Sequence, residues 1–144
     1  MVMSFPVLLV SFMTGGGAFL PVCSDVSAAD ASAVLGVPAI RIKDPSGCGW
    51  EDSTHKKRLN VAYVNVAAMF EGARADSAKN GTMHDEKGLG IKAFSSVPTE
   101  DNGGRVALYC LKGSTVLILD LEAEGAVTRL PQMREIMRKL ASLP

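Results

Sequence analysis

Aromatic residues are scarce: only 6% of the 144 residues are Phe, Tyr or Trp, and Trp occurs once. That shortage argues against stacking platforms for bases or sugars. Neither sign of charge dominates, with 15 Lys and Arg against 15 Asp and Glu, so the basic excess of a nucleic-acid binder is missing. Cysteine is limited to Cys23, Cys48 and Cys110 with no Cys-x-x-Cys, which removes the usual redox and zinc spacings. There is no His-Glu-x-x-His and no Gly-x-Ser-x-Gly elbow. Gly15-Gly16-Gly17 lacks the Gly-Lys-Ser/Thr that would complete a phosphate loop. Hydrophobic residues, in contrast, make up 47% and charged ones 21%, which excludes general disorder. The length suits one domain.

No charged residue precedes Asp25 and no cation precedes Arg41. The apolar run Phe5-Pro-Val-Leu-Leu-Val-Ser-Phe-Met13, followed by Gly16-Gly17-Ala18, fits the hydrophobic core and small-residue cleavage region of a signal peptide. The basic start of such a peptide is lacking, and a start further upstream would supply it. A membrane anchor and a first element of the fold are the competing readings; the glycines and Pro21 interrupt the roughly 20 apolar residues a span needs. Val22 before Cys23 makes a poor lipidation site. The expectation is a signal over residues 1–18, a single domain over 19–144, and a periplasmic or secreted location. Membrane contact would then arise only through an uncleaved N-terminus. Export also permits disulfides. A Cys23–Cys48 bridge would close a loop of about 25 residues and contribute about 3 kcal/mol in the chain-entropy treatment.

Ser27-Ala-Ala-Asp30 has the form of a capping box, and Gly36 with Pro38 beyond it forms a helix stop. Ala39-Ile-Arg-Ile-Lys43 alternates as a half-buried strand does. Cys48-Gly-Trp-Glu-Asp52 reads as its returning partner, with Cys48, Trp50 and Asp52 on one side. Leu59-Asn-Val-Ala-Tyr-Val-Asn-Val66 is β-branched and aromatic, hence a strand. Residues 67–78 turn towards helix and stop at Asn80-Gly81. A short strand follows at Ile91-Lys-Ala-Phe94, then a turn at Asp101-Asn-Gly-Gly104. Residues 105–111 and 115–121 form a hairpin, apolar on both faces and therefore central. Leu130, Met133, Met137 and Leu140, widened by Ile136 and Leu143, give the last helix its stripe, with Pro131 in the first turn. Arg134, Arg138 and Lys139 lie off that stripe. The expected fold is α+β, an antiparallel sheet of about five to six strands flanked by helices.

Several of these segments together resemble a group of small exported bacterial proteins of unassigned function. Cys23-Ser-Asp-Val-Ser-Ala-Ala-Asp-Ala-Ser-Ala-Val-Leu-Gly36 and Cys48-Gly-Trp50 are similar to that group's Cys, short helix and Cys-x-aromatic strand. Gly88-Leu-Gly-Ile-Lys-Ala-Phe94 is similar to its Gly-Leu-Gly-Asp-x-Ala-aromatic segment, with Ile91 where an acid is usual. Leu111-Lys-Gly-Ser-Thr-Val116 resembles its late hairpin. The resemblance implies a PsbP-like or Mog1-like sandwich and a Cys23–Cys48 bridge, and supplies no catalytic residues or cofactor.

Candidate chemistry is thin. His84-Asp85-Glu86 is the densest polar cluster, but consecutive ligands suit neither a helix face nor a strand face, and a solvated loop is the simpler reading. His55, Lys56, Lys57 and Arg58 form a charged turn able to act as a surface binding patch. Cys110 lies in the apolar run Val106-Ala-Leu-Tyr-Cys-Leu111, as a buried small hydrophobe would. A thiol or hydrolytic enzyme pairing Cys110 with His84 or His55 is the alternative class, as is an anchored envelope assembly factor. Glu122 and Glu124 read as solvated carboxylates at a strand end. The sequence favours a non-enzymatic exported domain, with no metal or cofactor, that binds an envelope protein or a small ligand.

Overall fold

The computed structural model describes residues 24–44, 47–89, 91–98 and 104–143. The signal reading of residues 1–18, Cys23, and residues 101–103 of the expected turn lie outside the described residues. The first helix, α1 (Ala28–Leu35), opens on the capping box: the Asp30 N–H donates to the Ser27 hydroxyl and the Ser27 N–H to the Asp30 carboxylate. It ends at Gly36, whose φ of 76° is left-handed. A side chain there would also strike the Arg129 guanidinium, since an added Cβ would lie 1.9 Å from it. Ala31, Val34 and Leu35 are buried, so packing stabilises a helix too short to persist alone.

Seven strands follow: β1 (Ile40–Asp44), β2 (Gly47–Glu51), β3 (Arg58–Val64), β4 (Met83–Glu86), β5 (Lys92–Ser96), β6 (Arg105–Lys112) and β7 (Thr115–Glu122). They form one sheet in the order β1-β2-β3-β7-β6-β5-β4, antiparallel throughout. The α+β class and the central hairpin of β6 and β7 stand, but the strand count exceeds the expected five to six. The additional strand is β4, Met-His-Asp-Glu, which reads as a solvated loop because it carries no apolar alternation. It forms because β5 offers a free edge and because two arginines meet its acids. Arg74 lies 2.8 Å from Asp85 and Arg134 lies 2.7 Å from Glu86.

Helix α2 (Ala68–Lys79) crosses between β3 and β4, and α3 (Leu130–Ala141) closes the described chain after a 3₁₀ turn at Ala126–Arg129. One sheet face carries Cys48, Trp50, Leu59, Val61, Ala93, Leu108, Cys110, Leu117, Leu119 and Leu121, all buried with α1 and α3. From α3, Leu130, Met133, Ile136, Met137 and Leu140 enter that core. Full burial of such side chains is worth about 1.5–3 kcal/mol each. The opposite face has a smaller cluster in which α2 contributes Phe70, packed edge-on to Phe94 at 5.2 Å, with Val116 below. Phe94 in turn stacks on Tyr109 at 4.6 Å.

Side chains that the sequence places merely off the α3 stripe act as tethers. Arg134 holds Glu86 of β4, Arg138 donates to the Gly88 carbonyl, and Lys139 reaches Asp30 of α1 at 2.7 Å. Lysines also meet carbonyls at or just beyond helix ends: Lys57 donates to that of Leu35, and Lys112 to those of Leu140 and Leu143.

Candidate functional site

Cys110 sits fully buried on β6 between Ala93 of β5 and Leu117 of β7. Burial pushes its thiol up to about 12, and the Glu86 carboxylate in the same row of the sheet adds to the shift. A thiolate is therefore disfavoured at neutral pH. His84 belongs to a different row, opposite Ser95, which in turn faces Leu108. It stands on β4, two strands from Cys110 and two residues along, which separates their backbones by roughly 12 Å. His55 lies in the turn between β2 and β3, across the sheet, with φ at 60° and its ring 2.9 Å from the Glu51 carboxylate. The fold does not bring a histidine to Cys110.

The charged turn at residues 52–57 is organised by Asp52. This carboxylate is buried on the same side as Cys48 and Trp50, as the alternation predicts. It accepts from the Thr54 hydroxyl and from the Lys56 and Lys57 N–H groups at 2.9 and 3.0 Å. The hydroxyl and then the backbone donors hold its carboxyl down at about 2. The four residues expected to form one patch are thereby spread out. His55 pairs with Glu51, Lys57 turns to α1, Arg58 reaches Asn60 on the sheet, and Lys56 is exposed.

The acidic cluster also separates. Asp85 is exposed and salt-bridged to Arg74, whereas Glu86 is drawn into the sheet edge. Burial alone would raise the Glu86 carboxyl, but the Arg134 guanidinium and the Ser95 hydroxyl outweigh it and hold it below the usual carboxylate range. Its oxygens are taken by two protein partners. Among the described residues no group of three or more His, Cys, Asp or Glu is placed to hold a metal. Nor is any helix among them long and apolar enough to cross a membrane. Cys48 is fully buried, opposite Val61 of β3. Two residues along β3, the Tyr63 hydroxyl donates to Asp25 at 3.0 Å.

Two grooves among the described residues have room for a ligand: one of about 360 Å³ between α1 and α3, lined by Asp30, Ala33, Gln132, Glu135, Ile136 and Lys139, and one that composition alone does not reveal. Pairing aligns Ile42, Gly49, Asn60, Asp120, Ala107, Ser96 and Met83 in a row across all seven strands. This row lies on the face opposite α1 and α3. At Gly49 an added Cβ would meet the Ile42 side chain at 2.7 Å, so glycine lets Ile42 fold across β2. Small and polar side chains from Gly49 to Ser96 make a trough. On one flank Arg105 forms a two-pronged contact with Asp120, at 3.1 and 2.6 Å, and stands 3.8 Å from Glu122. On the other flank lie Tyr109 and the end of α2. There the trough deepens to a groove of about 350 Å³ lined by Asn80, Thr82, Ser96, Arg105, Tyr109 and Asp120. The Thr82 and Ser96 hydroxyls are 3.1 Å apart. These groups can exchange hydrogen bonds with a ligand but offer no activated nucleophile.

No family model matches the chain, and neither a curated protein nor a solved structure matches it.

Proposed function

We propose that the chain is an exported, non-enzymatic binding domain of PsbP-like or Mog1-like architecture that engages its partner through the sheet face turned away from α1 and α3. The observation that carries this reading is the unequal cover that the described residues give the two faces. Two helices and a continuous apolar core occupy one, while α2 lies over the β4–β6 side of the other. The β1–β2–β3–β7 side of that face presents exposed Ile40, half-buried Ile42 and Asn60, and Asp120, which Arg105 of the neighbouring β6 contacts. An envelope protein fits this surface. A small polar ligand in the groove beside Tyr109 is the other partner class.

Export and a Cys23–Cys48 bridge belong to the same proposal. The Asp25–Tyr63 hydrogen bond supports the bridge, because it anchors the chain two residues after Cys23 beside the strand that pairs with Cys48. The burial of Cys110 weighs against the thiol-enzyme alternative.

Intact-mass analysis of the protein expressed with an export signal, before and after reduction and alkylation, tests the export part. The expected result is one disulfide, and a single thiol at Cys110 that reacts only after denaturation. Three reactive thiols would contradict it. Binding is tested with the double substitution Arg58→Gln and Arg105→Gln, which removes both cations without setting further acids opposite Glu122. It should release a partner recovered with the exported protein while leaving its fold intact, and unchanged recovery would move the interface elsewhere.

A further inference from the structure

The two edges of the sheet are finished differently. On β4 the acids are engaged, Asp85 by Arg74 and Glu86 by Arg134. On β1 the cations are not. Arg41 and Lys43 are exposed and make no hydrogen bond or ion pair among the described residues, and Ile40 is 53% exposed. Strand β1 pairs with β2 alone among the described strands, so every second residue turns its N–H and C=O to the outside. The start of β1 is fixed, because the Ala39 N–H donates to the Ser32 hydroxyl of α1 at 2.9 Å. The edge is thus an ordered template.

Alternation decides what this template accepts. Pairing places Arg41 opposite Trp50 and Lys43 opposite Cys48 on the α1 side, with Ile40 and Ile42 on the other. A second copy pairing antiparallel must keep the isoleucines on a common face, since a slip of one residue reverses every side chain. With Ile42 opposite Ile42, Arg41 faces Lys43; with Ile40 opposite Ile42, Arg41 faces Arg41. Like charges directly opposite are destabilising, so β1 disfavours its own copy. Exposed Lys56, in the turn after β2, adds a further cation beyond the Ile40 end.

We propose that the β1 edge takes up an extended acidic segment of a partner protein as an eighth strand. Its acids alternate so as to lie opposite Arg41 and Lys43, and its intervening apolar residues lie beside Ile40 and Ile42. Backbone pairing supplies the attachment, and the alternating charges supply the selection. The added strand would extend the same sheet face as the trough. The inference stands on the edge alone and does not require export.

The probe is a blocked five-residue peptide, Glu-Val-Glu-Val-Glu, with Lys-Val-Lys-Val-Lys as its counterpart, added to the full chain. Amide hydrogen exchange and backbone NMR shifts report its position. The acidic peptide should slow exchange within Ile40–Asp44 and bind more weakly as salt rises. The Arg41→Glu, Lys43→Glu double variant should bind it about tenfold or more less tightly and prefer the basic peptide. If that variant does not fold, Arg41→Gln with Lys43→Gln should abolish the discrimination between the two peptides. Unchanged β1 amides at millimolar peptide, or equal binding of both peptides to the native chain, would overturn the proposal. Shifts confined to Ala107, Tyr109 and Asp120 would also overturn it, while leaving the binding-domain reading in place.

Discussion

Helices α2 and α3 are equal in length, with twelve residues each, yet they cover the sheet very differently. Helix α3 buries five apolar side chains and is tied at its polar flank by Arg134, Arg138 and Lys139. Helix α2 buries Phe70 alone. Among the described residues, the same sheet therefore has one face closed by a deep core and another on which α2 is held by a single aromatic anchor beside an open trough. A domain whose framework lies on one side is free to vary and expose the other, which is where partner contact belongs.

The largest effect should come from breaking the closed face. Leu140→Ala removes a fully buried side chain from α3 and should cost about 2–5 kcal/mol, read as one cooperative shift of the denaturation midpoint. Phe70→Ala should instead act locally. Exchange across α2 should rise sharply while β6 and β7 stay protected, because undocking α2 leaves the main core whole. If both substitutions collapse the whole domain alike, the two faces are not independent in the way described.

Cys110→Ser comes next. It places a hydroxyl in the core beneath α3 and should cost about 1–3 kcal/mol if that hydroxyl finds no partner. Cys110→Ala should cost less, and neither should impair partner binding. A binding defect from Cys110→Ala in a protein that melts normally would reinstate a role for the thiol.

A smaller, pH-dependent effect distinguishes Asp52. Its folded value of about 2 lies below the ordinary aspartate value of 3.8, so its ionised form stabilises the fold above the unfolded value. That contribution is lost as pH falls from about 4 towards 2. Melting of the native chain should fall across this window, and Asp52→Asn should melt lower at pH 6 with the difference narrowing by pH 2. A constant difference would show that the carboxylate's charge is not what organises the turn. The smallest effect belongs to the open face. Arg105→Ala should change stability by less than about 1 kcal/mol, although it removes a groove-lining group.

Local signals were legible where one short stretch carries its own instructions. Ser27 with Asp30, Gly36, the alternation through Asp52 and the α3 stripe each declare an element without distant help. Strand β4 was hidden because its charges are compensated by Arg74 and Arg134, eleven and forty-eight residues away in the chain. The tethering roles of Arg134 and Arg138 were hidden for the same reason. The trough is a property of register: Gly49, Asn60, Asp120, Ala107 and Ser96 are unremarkable until pairing sets them side by side. The charged turn shows the opposite case, in which residues adjacent in sequence, His55, Lys56, Lys57 and Arg58, are sent to different surroundings by the turn that Asp52 builds.

Site-specific photo-crosslinking in the exported protein tests the central claim most directly. The crosslinking residue is placed in turn at Asn60 and Ala107 in the trough and at Glu135 on the outer surface of α3. The account predicts a discrete partner adduct from the trough positions that disappears with Arg58→Gln and Arg105→Gln, and none from Glu135. An adduct from Glu135 alone would contradict it and transfer the binding role to the closed face.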